Sequence, residues 1–273
     1  MTHEVDIDTY LSRIKYDGDR CPTLEVLASL QSLHTQHIPF EGLNPFLGLP
    51  VSLDLKSLQE KLVHGGRGGY CFEHNILFST MLRTLGFDVT WHSARVVWMV
   101  PEGVTLPRTH MTTLVRIDDQ RYMVDVGYGG MTVTSPIKLV TDVAQPTTHE
   151  PFRLLREDGL YVLQSEFMGR WNSLYRFDLQ EQLMADYELT NWYMSNSPDS
   201  RFVAGLVAAR VSPGKRYALL NNKFAVHNLN GETVKRVITD VDEFRTVLMN
   251  DFHINLTGLP KLDEALQSLI DRP

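Results

Sequence analysis

HGGRGGYCFEHNILFSTMLRTLG, residues 64–86, is the stretch on which the reading of this chain turns. Four glycines fall at 65, 66, 68 and 69, a cysteine follows at 71, and a regular apolar stripe then begins. Phe78, Met81, Leu82 and Leu85 repeat at i, i+3, i+4 and i+7, which predicts a helix opening near Cys71 and stopping at Gly86. Upstream the pattern is helical too. Thr23 caps a helix whose face carries Leu24, Leu27 and Ala28, and Ser52 caps another with Leu55, Leu58 and Leu62 at helical spacing. Downstream the grain changes. FDVTWHSARVVWMV is rich in β-branched and aromatic residues, and HMTTLVRIDDQRYMVDVGYGG reads as a hairpin turning at Asp118 and Asp119. FRLLREDGLYVLQSEF reads as a second hairpin turning at Asp158 and Gly159. Short strands continue to about residue 200, which suggests a barrel or strongly bent sheet. After Pro198 the signals mix: strands at 216–220 and 224–228, a hairpin near NLNGETVKRVI, a helix for which Asp242 is the cap candidate, and a last helix in LPKLDEALQSLIDR.

The whole chain bounds the function. Its 273 residues exceed what one compact core usually serves, so two or three subdomains are expected. Hydrophobic residues make up 43% and charged residues 22%, the balance of a soluble globular protein. A net charge of -7 argues against nucleic acid or an anionic membrane as partner. The start MTHEVDIDTYLSRI does not read as a signal peptide, and no apolar run approaches a membrane span. The two cysteines, Cys21 and Cys71, make a poor disulfide framework, so free thiols in the cytoplasm are the expectation. No metal site is expected, and no feature fixes an oligomeric state.

Cys71 stands where a thiol is easily made reactive. The first turn of a helix offers unpaired N–H groups and the positive end of the macrodipole, both of which favour a thiolate. The same groups suit an oxyanion formed when sulfur attacks a carbonyl. The competing reading is plain core, because free cysteines are mostly small apolar fillers and Cys71 shares the face of Phe78. A phosphate loop does not fit, since GGRGGYC lacks the Gly-Lys-Ser/Thr ending and a preceding apolar strand.

A cysteine nucleophile needs a base and the base an orienting group. With the hairpin turn at Asp118 and Asp119, Leu114 pairs with Met123, Thr112 with Asp125, and His110 with Gly127. His110 and Asp125 then become diagonal neighbours ~7–8 Å apart on one face. Asp125 lies between Val124 and Val126, where a buried carboxylate needs a partner. Arg121 is an alternative partner, and patterning alone does not separate His110 from His74 or His92.

Several segments together resemble the arylamine N-acetyltransferase family. RGGYCFEHN, PRTHMTTLV and VDVGYGG stand in the family's order, IPFEGLNPF is similar to its IPFEN segment, and PFRL, WNSLYRF and NWYMSNSPDSRF extend the likeness toward residue 202. The resemblance implies an α+β fold with an N-terminal helical bundle (1–86), a central β-barrel (87–200) and a C-terminal α/β lid (201–273). It implies a triad of Cys71, His110 and Asp125, and acetyl transfer from acetyl-CoA, through the cysteine, to an arylamine, arylhydrazine or N-hydroxyarylamine. No permanently bound cofactor is implied. Phe40, Val97, Tyr128 and Phe202 match acceptor-pocket positions, and Thr109 and Gly129 match positions near bound CoA. Glu41 and Arg67 match a structural ion pair. Tyr128 replaces the family's common phenylalanine, and Gly42 its usual asparagine. Lys215, Arg216 and Lys223 are candidates for the CoA phosphates by charge alone. Two other readings share a triad of this kind: an amide synthase using another acyl donor, and a cysteine hydrolase. Against the latter, YCFEHN lacks the C-G-S-C-W signature of papain-like enzymes.

Overall fold

A computed structural model describes residues 5–101, 103–167, 169–229 and 231–272. The N-terminal segment carries α1 (Ile7–Arg13), α2 (Leu24–His37), the short strand β1 (Phe40–Glu41), α3 (Leu43–Phe46), α4 (Leu55–Leu58) and α5 (Cys71–Thr84). Thr23 caps α2 as read from sequence, its hydroxyl accepting from the Val26 N–H. The buried face of α2 differs from the expected one: Val26, Leu27, Leu30, Gln31 and His34 point inward, and Leu24 is exposed. Asp54, rather than Ser52, caps α4, because the carboxylate accepts from the Ser57 N–H while Ser52 donates to that carboxylate. Beyond Leu58 the helix widens into a π-turn over Gln59–His64 and delivers the chain to the glycine loop.

Helix α5 is the centre of this part and is buried on nearly every side, which its stripe of four apolar residues alone did not announce. A helix buried all round has to satisfy its polar side chains internally. Ser79 accepts from the Trp91 indole N–H at 2.7 Å, and Glu73 binds the Lys61 ammonium at 2.7 Å and the Tyr70 N–H at 3.0 Å. The glycine loop ahead of it is explained by contact. A Cβ on Gly68 would lie 1.8 Å from the Pro39 carbonyl oxygen, so only a glycine lets the loop pass beneath the strand β1 segment.

From Asp88 the chain forms β2 (Asp88–Val96), β3 (His110–Ile117), β4 (Gln120–Val124), β5 (Ile137–Lys138), β6 (Phe152–Glu157), β7 (Leu160–Phe167) and β8 (Arg170–Glu181). These make one seven-stranded sheet in the order β5-β4-β3-β2-β8-β7-β6. Residues after β5 curl back onto β6, with the Asp142 N–H on the Leu154 carbonyl at 2.8 Å and Gln145 exchanging backbone bonds with Phe152, so the sheet is a nearly closed barrel. Both expected hairpin turns are present, and Leu114 faces Met123 in the expected register. The ladder ends at Thr113 and Val124, before the expected Thr112–Asp125 and His110–Gly127 pairs, because Asp125 leaves the strand to meet α5.

The run to residue 200 is not all strand: α6 (Met184–Asn196) follows β8, with Met184, Ala185, Glu188 and Leu189 favouring helix in its first turns, and α7 (Arg201–Ala204) follows it. The chain ends with β9 (Val207–Ser212), β10 (Lys215–Leu220), β11 (Lys223–Asn228), β12 (Thr233–Val237), α8 (Val241–Thr246) with a π-turn, and α9 (Leu262–Ile270). Asp240 caps α8 in place of the expected Asp242, which sits in the first turn instead. The second sheet runs β1-β9-β10-β11-β12, so its first strand comes from the N-terminal segment. Phe40 pairs with Ala209 there while Glu41 takes the Gly69 carbonyl, and one short strand thereby joins the glycine loop to the C-terminal sheet.

Phe78, fully buried beneath the His34 ring, anchors α5 in the hydrophobic core it shares with Leu27 and Leu30 of α2. Phe78→Ala is expected to lower stability by about 3–5 kcal/mol, the usual cost of emptying a buried aromatic site. Urea unfolding of the variant checks this; an unchanged midpoint and slope would show that α5 is not held as described.

Candidate active site

Cys71 opens α5, His110 opens β3 and Asp125 directly follows β4, so three elements distant in sequence meet at one point. Their side-chain environments are closed: Cys71 is 4% exposed, His110 3% and Asp125 0%. The His110 Nε2 lies 2.7 Å from Asp125 Oδ2, and the Cys71 sulfur lies beside the same ring, near enough to raise its proton affinity. With Nε2 committed to the carboxylate, Nδ1 is the nitrogen left to face sulfur. The sulfur also points at the Thr109 carbonyl oxygen, 3.7 Å away.

Asp125 is held by more than histidine. Tyr175 donates its hydroxyl to Oδ2 at 2.9 Å, while Asn75 Nδ2 and the Gly127 N–H donate to Oδ1 at 3.0 and 2.9 Å. Asn75 also donates to the Met111 carbonyl and accepts from the Val126 N–H, which fastens α5 to both strands. Gly127 has to be glycine, since a Cβ there would meet Cys71 Cα at 2.8 Å and Cys71 O at 2.9 Å. Neither Asn75 nor Tyr175 emerged from the sequence as a site residue. Asn75 had a signal, one helical turn beyond Cys71 on the same face. Tyr175 had none, because nothing local places the middle of β8 opposite Asp125.

Electrostatics follow from this wiring. Burial alone would lower the His110 pKa, but the Asp125 charge and hydrogen bond, with the Cys71 sulfur beside it, push it up to about 10. Burial alone would raise Asp125, and the His110 charge with the Asn75 and Gly127 bonds holds it below its ordinary 3.8. The pair is therefore a buried imidazolium–carboxylate at neutral pH.

The remaining sequence candidates fall into two groups. Tyr128 packs edge-on against the His110 ring at 5.2 Å, and its hydroxyl and the Val97 N–H both donate to the Leu174 carbonyl. Phe40 packs against Phe202 at 5.9 Å, and a Cβ on Gly129, whose φ is +87°, would lie 3.4 Å from the Phe40 ring. Thr109 supplies only its carbonyl to the sulfur. Glu41 and Arg67 form the expected buried ion pair, at 2.7 Å. The cationic candidates are partly corrected. Arg216 is buried, paired with Glu150 at 2.7 Å and bonded to the Thr132 carbonyl, so it is committed to structure; Lys215 lies over the Tyr217 ring, and Lys223 is exposed. Two open clefts, of about 200 and about 850 Å³, lie elsewhere, and no triad residue lines either. Among the described residues no cluster suits a metal ion, and no helix is long and apolar enough to cross a membrane.

The N-acetyltransferase family model matches residues 23–260. The chain is 42% identical to the arylamine N-acetyltransferase of Mycobacterium tuberculosis H37Rv, over 98% of this chain and 95% of that protein. The chain belongs to the arylamine N-acetyltransferase family. It is also 35% identical to the arylamine N-acetyltransferase / N-hydroxyarylamine O-acetyltransferase of Salmonella typhimurium, over 93% of this chain and 90% of that one. The fold agrees with the Mycobacterium marinum arylamine N-acetyltransferase in complex with CoA, at TM-score 0.93 and 38% identity, covering 97% and 98% of the two chains.

The raised His110 and lowered Asp125 pKa values make a stability prediction. A histidine with a raised folded pKa contributes fully below its unfolded value near 6.5, and that contribution is lost as pH rises through about 10. The Asp125 contribution is present above 3.8 and lost in stronger acid. The difference in melting temperature between wild type and Asp125→Asn should thus be steady from pH about 5 to 6, shrink progressively between about 6.5 and 10, and stay small above that. Scanning calorimetry across that range checks it; a gap that widens in alkali contradicts the ion pair.

Proposed function

We propose that Cys71, His110 and Asp125 form the catalytic triad of an enzyme that moves an acetyl group from acetyl-CoA to an arylamine, arylhydrazine or N-hydroxyarylamine by way of a thioester on Cys71. The observation that carries this is the buried 2.7 Å contact between His110 Nε2 and Asp125 with the Cys71 sulfur at the same ring. It supports a thiolate–imidazolium pair, with Asp125 holding the positive charge. In the first half-reaction the sulfur attacks the acetyl carbonyl, the C–S bond to CoA breaks, and the CoA thiolate takes a proton from His110. In the second, the amine attacks the new thioester. His110 accepts the amine proton, the Cys71 C–S bond breaks, and the acetylated amine leaves. N–H groups in the first turn of α5 are the candidates for the oxyanion formed in each step.

On this reading Phe40, Phe202, Tyr128 and Val97 border the acceptor, since aromatic walls suit flat aryl rings. Thr109 and Gly129 border the CoA arm, and no group is bound permanently. The relative from Mycobacterium marinum, which binds CoA in its structure, supports the choice of donor. The division at about residues 86 and 200 belongs to the same proposal, with the nucleophile on the first part, its base and acid on the second and a lid in the third. Free thiols at Cys21 and Cys71 fit a reducing cytoplasm.

Intact-protein mass spectrometry tests the chemistry. Acetyl-CoA alone should add one acetyl group and release about one equivalent of CoA per site, and initial rates should give parallel double-reciprocal lines. Cys71→Ala should abolish the adduct and Cys21→Ala should retain it. An adduct that survives Cys71→Ala, or intersecting lines without a burst, would replace the covalent route with direct transfer. An adduct formed by other acyl donors but not by acetyl-CoA would favour the amide synthase reading.

Gly42 gives a test of the acceptor wall. A Cβ there would lie 2.9 Å from the Phe202 ring, and Gly42 itself has an ordinary backbone angle, so a side chain is resisted only by that ring. Gly42→Asn should shift Phe202 and change KM for an arylamine by about tenfold, the scale of a misfitted apolar contact. The CoA burst from acetyl-CoA alone should keep its amplitude. An unchanged acceptor KM would remove Phe202 from the wall.

A further inference from the structure

Behind Cys71 lies a buried polar chain that the triad does not use. The Tyr10 hydroxyl is 2.8 Å from His34 Nδ1, His34 Nε2 is 2.9 Å from His74 Nδ1, and His74 Nε2 is 3.1 Å from the Pro39 carbonyl oxygen. All three side chains are fully buried. His74 lies three residues beyond Cys71 on α5, and its ring stacks on that of Phe40 at 6.1 Å and 11°.

The direction of this chain follows from one end. A carbonyl oxygen only accepts, so His74 Nε2 carries a hydrogen. A neutral His74 then presents a lone pair at Nδ1, which requires a hydrogen on His34 Nε2. A neutral His34 presents a lone pair at Nδ1, which accepts from the Tyr10 hydroxyl. Every donor meets an acceptor only with both rings neutral and both in the Nε2–H tautomer. A proton added to His74 Nδ1 would reverse the upper half of the chain. Tyr10 would become an acceptor, and its own hydrogen would have no further partner among the described residues.

We propose that His74, oriented by His34 and Tyr10, is a positioning residue for acetyl transfer: it fixes the Pro39–Phe40 peptide, and with it the Phe40 ring, by a one-way hydrogen-bond chain of neutral imidazoles. The role of Phe40 rests on the acceptor wall described above; the chain itself does not. Charged groups nearby agree with neutrality. Arg13, on α1, faces His34 and disfavours a second positive charge there. Lys61 and Glu41 face His74 with opposite effects, and each is engaged elsewhere, Lys61 with Glu73 and Glu41 with Arg67. Burial, the largest influence on both rings, pulls them toward the neutral form, His74 down to about 4. Gly68 closes the other side of the same carbonyl, so Pro39 has little freedom except through His74.

Nitrogen-15 NMR of histidine-labelled wild-type enzyme tests the chain without any variant. Both rings should show a protonated Nε2 and a bare Nδ1 from pH about 8 down to about 5, well below where a free imidazole titrates. A proton on Nδ1 of either ring in that range overturns the proposal. Kinetics test the positioning role. His74→Phe keeps a ring against Phe40 but makes no hydrogen bond. Its acceptor step should slow about tenfold relative to its own acetylation step, less than the ~10²-fold that a 1 Å misplacement brings. His74→Gln, whose amide donates to Pro39 and accepts from His34 together, should recover most of that loss. Equal slowing of both steps, or no recovery with glutamine, would make His74 merely structural. A wild type that forms no acetyl adduct would defeat the functional reading while leaving the NMR result to decide the chain.

Discussion

A carboxylate with no exposed surface is costly unless every lone pair is answered. Asp125 answers that demand with four donors: His110, Tyr175, Asn75 and the Gly127 N–H. They come from β3, β8, α5 and the turn after β4, so satisfying one anion fixes the positions of four segments. Removing any one donor leaves the others intact, but removing the charge takes away the reason for the arrangement. The same anion gives His110 its proton affinity, and through that ring it reaches the sulfur of Cys71.

Helix α5 converts this local demand into a fold. Its buried polar residues each serve a different neighbour: Glu73 ties to the π-turn after α4, His74 to Pro39 just ahead of β1, Asn75 to the barrel and Ser79 to β2. Glycines stand where backbones from these neighbours come too close for a Cβ, Gly68 under Pro39 and Gly127 against Cys71. The glycine loop is thus better understood as close packing around the start of a helix than as a cradle for phosphate. Strand β1 then carries the constraint outward, since it pairs with β9 and makes the C-terminal sheet depend on the same loop.

How far the sequence reveals this depends on the range of the interaction. The hairpin turn at Asp118–Asp119 was legible, because turn residues and alternation are local, and with it the approach of His110 to Asp125. The start of α5 at Cys71 was legible from the apolar stripe. The caps of α4 and α8 were misplaced by two residues, because Ser52 and Asp242 were as plausible locally as Asp54 and Asp240, which the structure uses. Helix α6 was hidden by the strands before it, and β1 by its two-residue length. Tyr175 and the His34–His74 chain were invisible for a different reason: their partners lie tens of residues away, and only packing brings them together. Charge alone misled at Arg216, whose guanidinium is spent on Glu150 inside the protein.

The account stands on Asp125 acting through His110 on the Cys71 sulfur. The most direct test is the pH profile of Cys71 alkylation by iodoacetamide, in wild type and in Asp125→Asn shown by circular dichroism to be folded, with peptide mass spectrometry separating Cys71 from Cys21. The variant should reach its full alkylation rate only at a higher pH than wild type, and its acetyl transfer should fall on the scale of ~10⁴-fold seen when a triad aspartate is neutralised. A folded Asp125→Asn with an unchanged alkylation profile and near-normal transfer would contradict the account and leave Asp125 a purely structural anion.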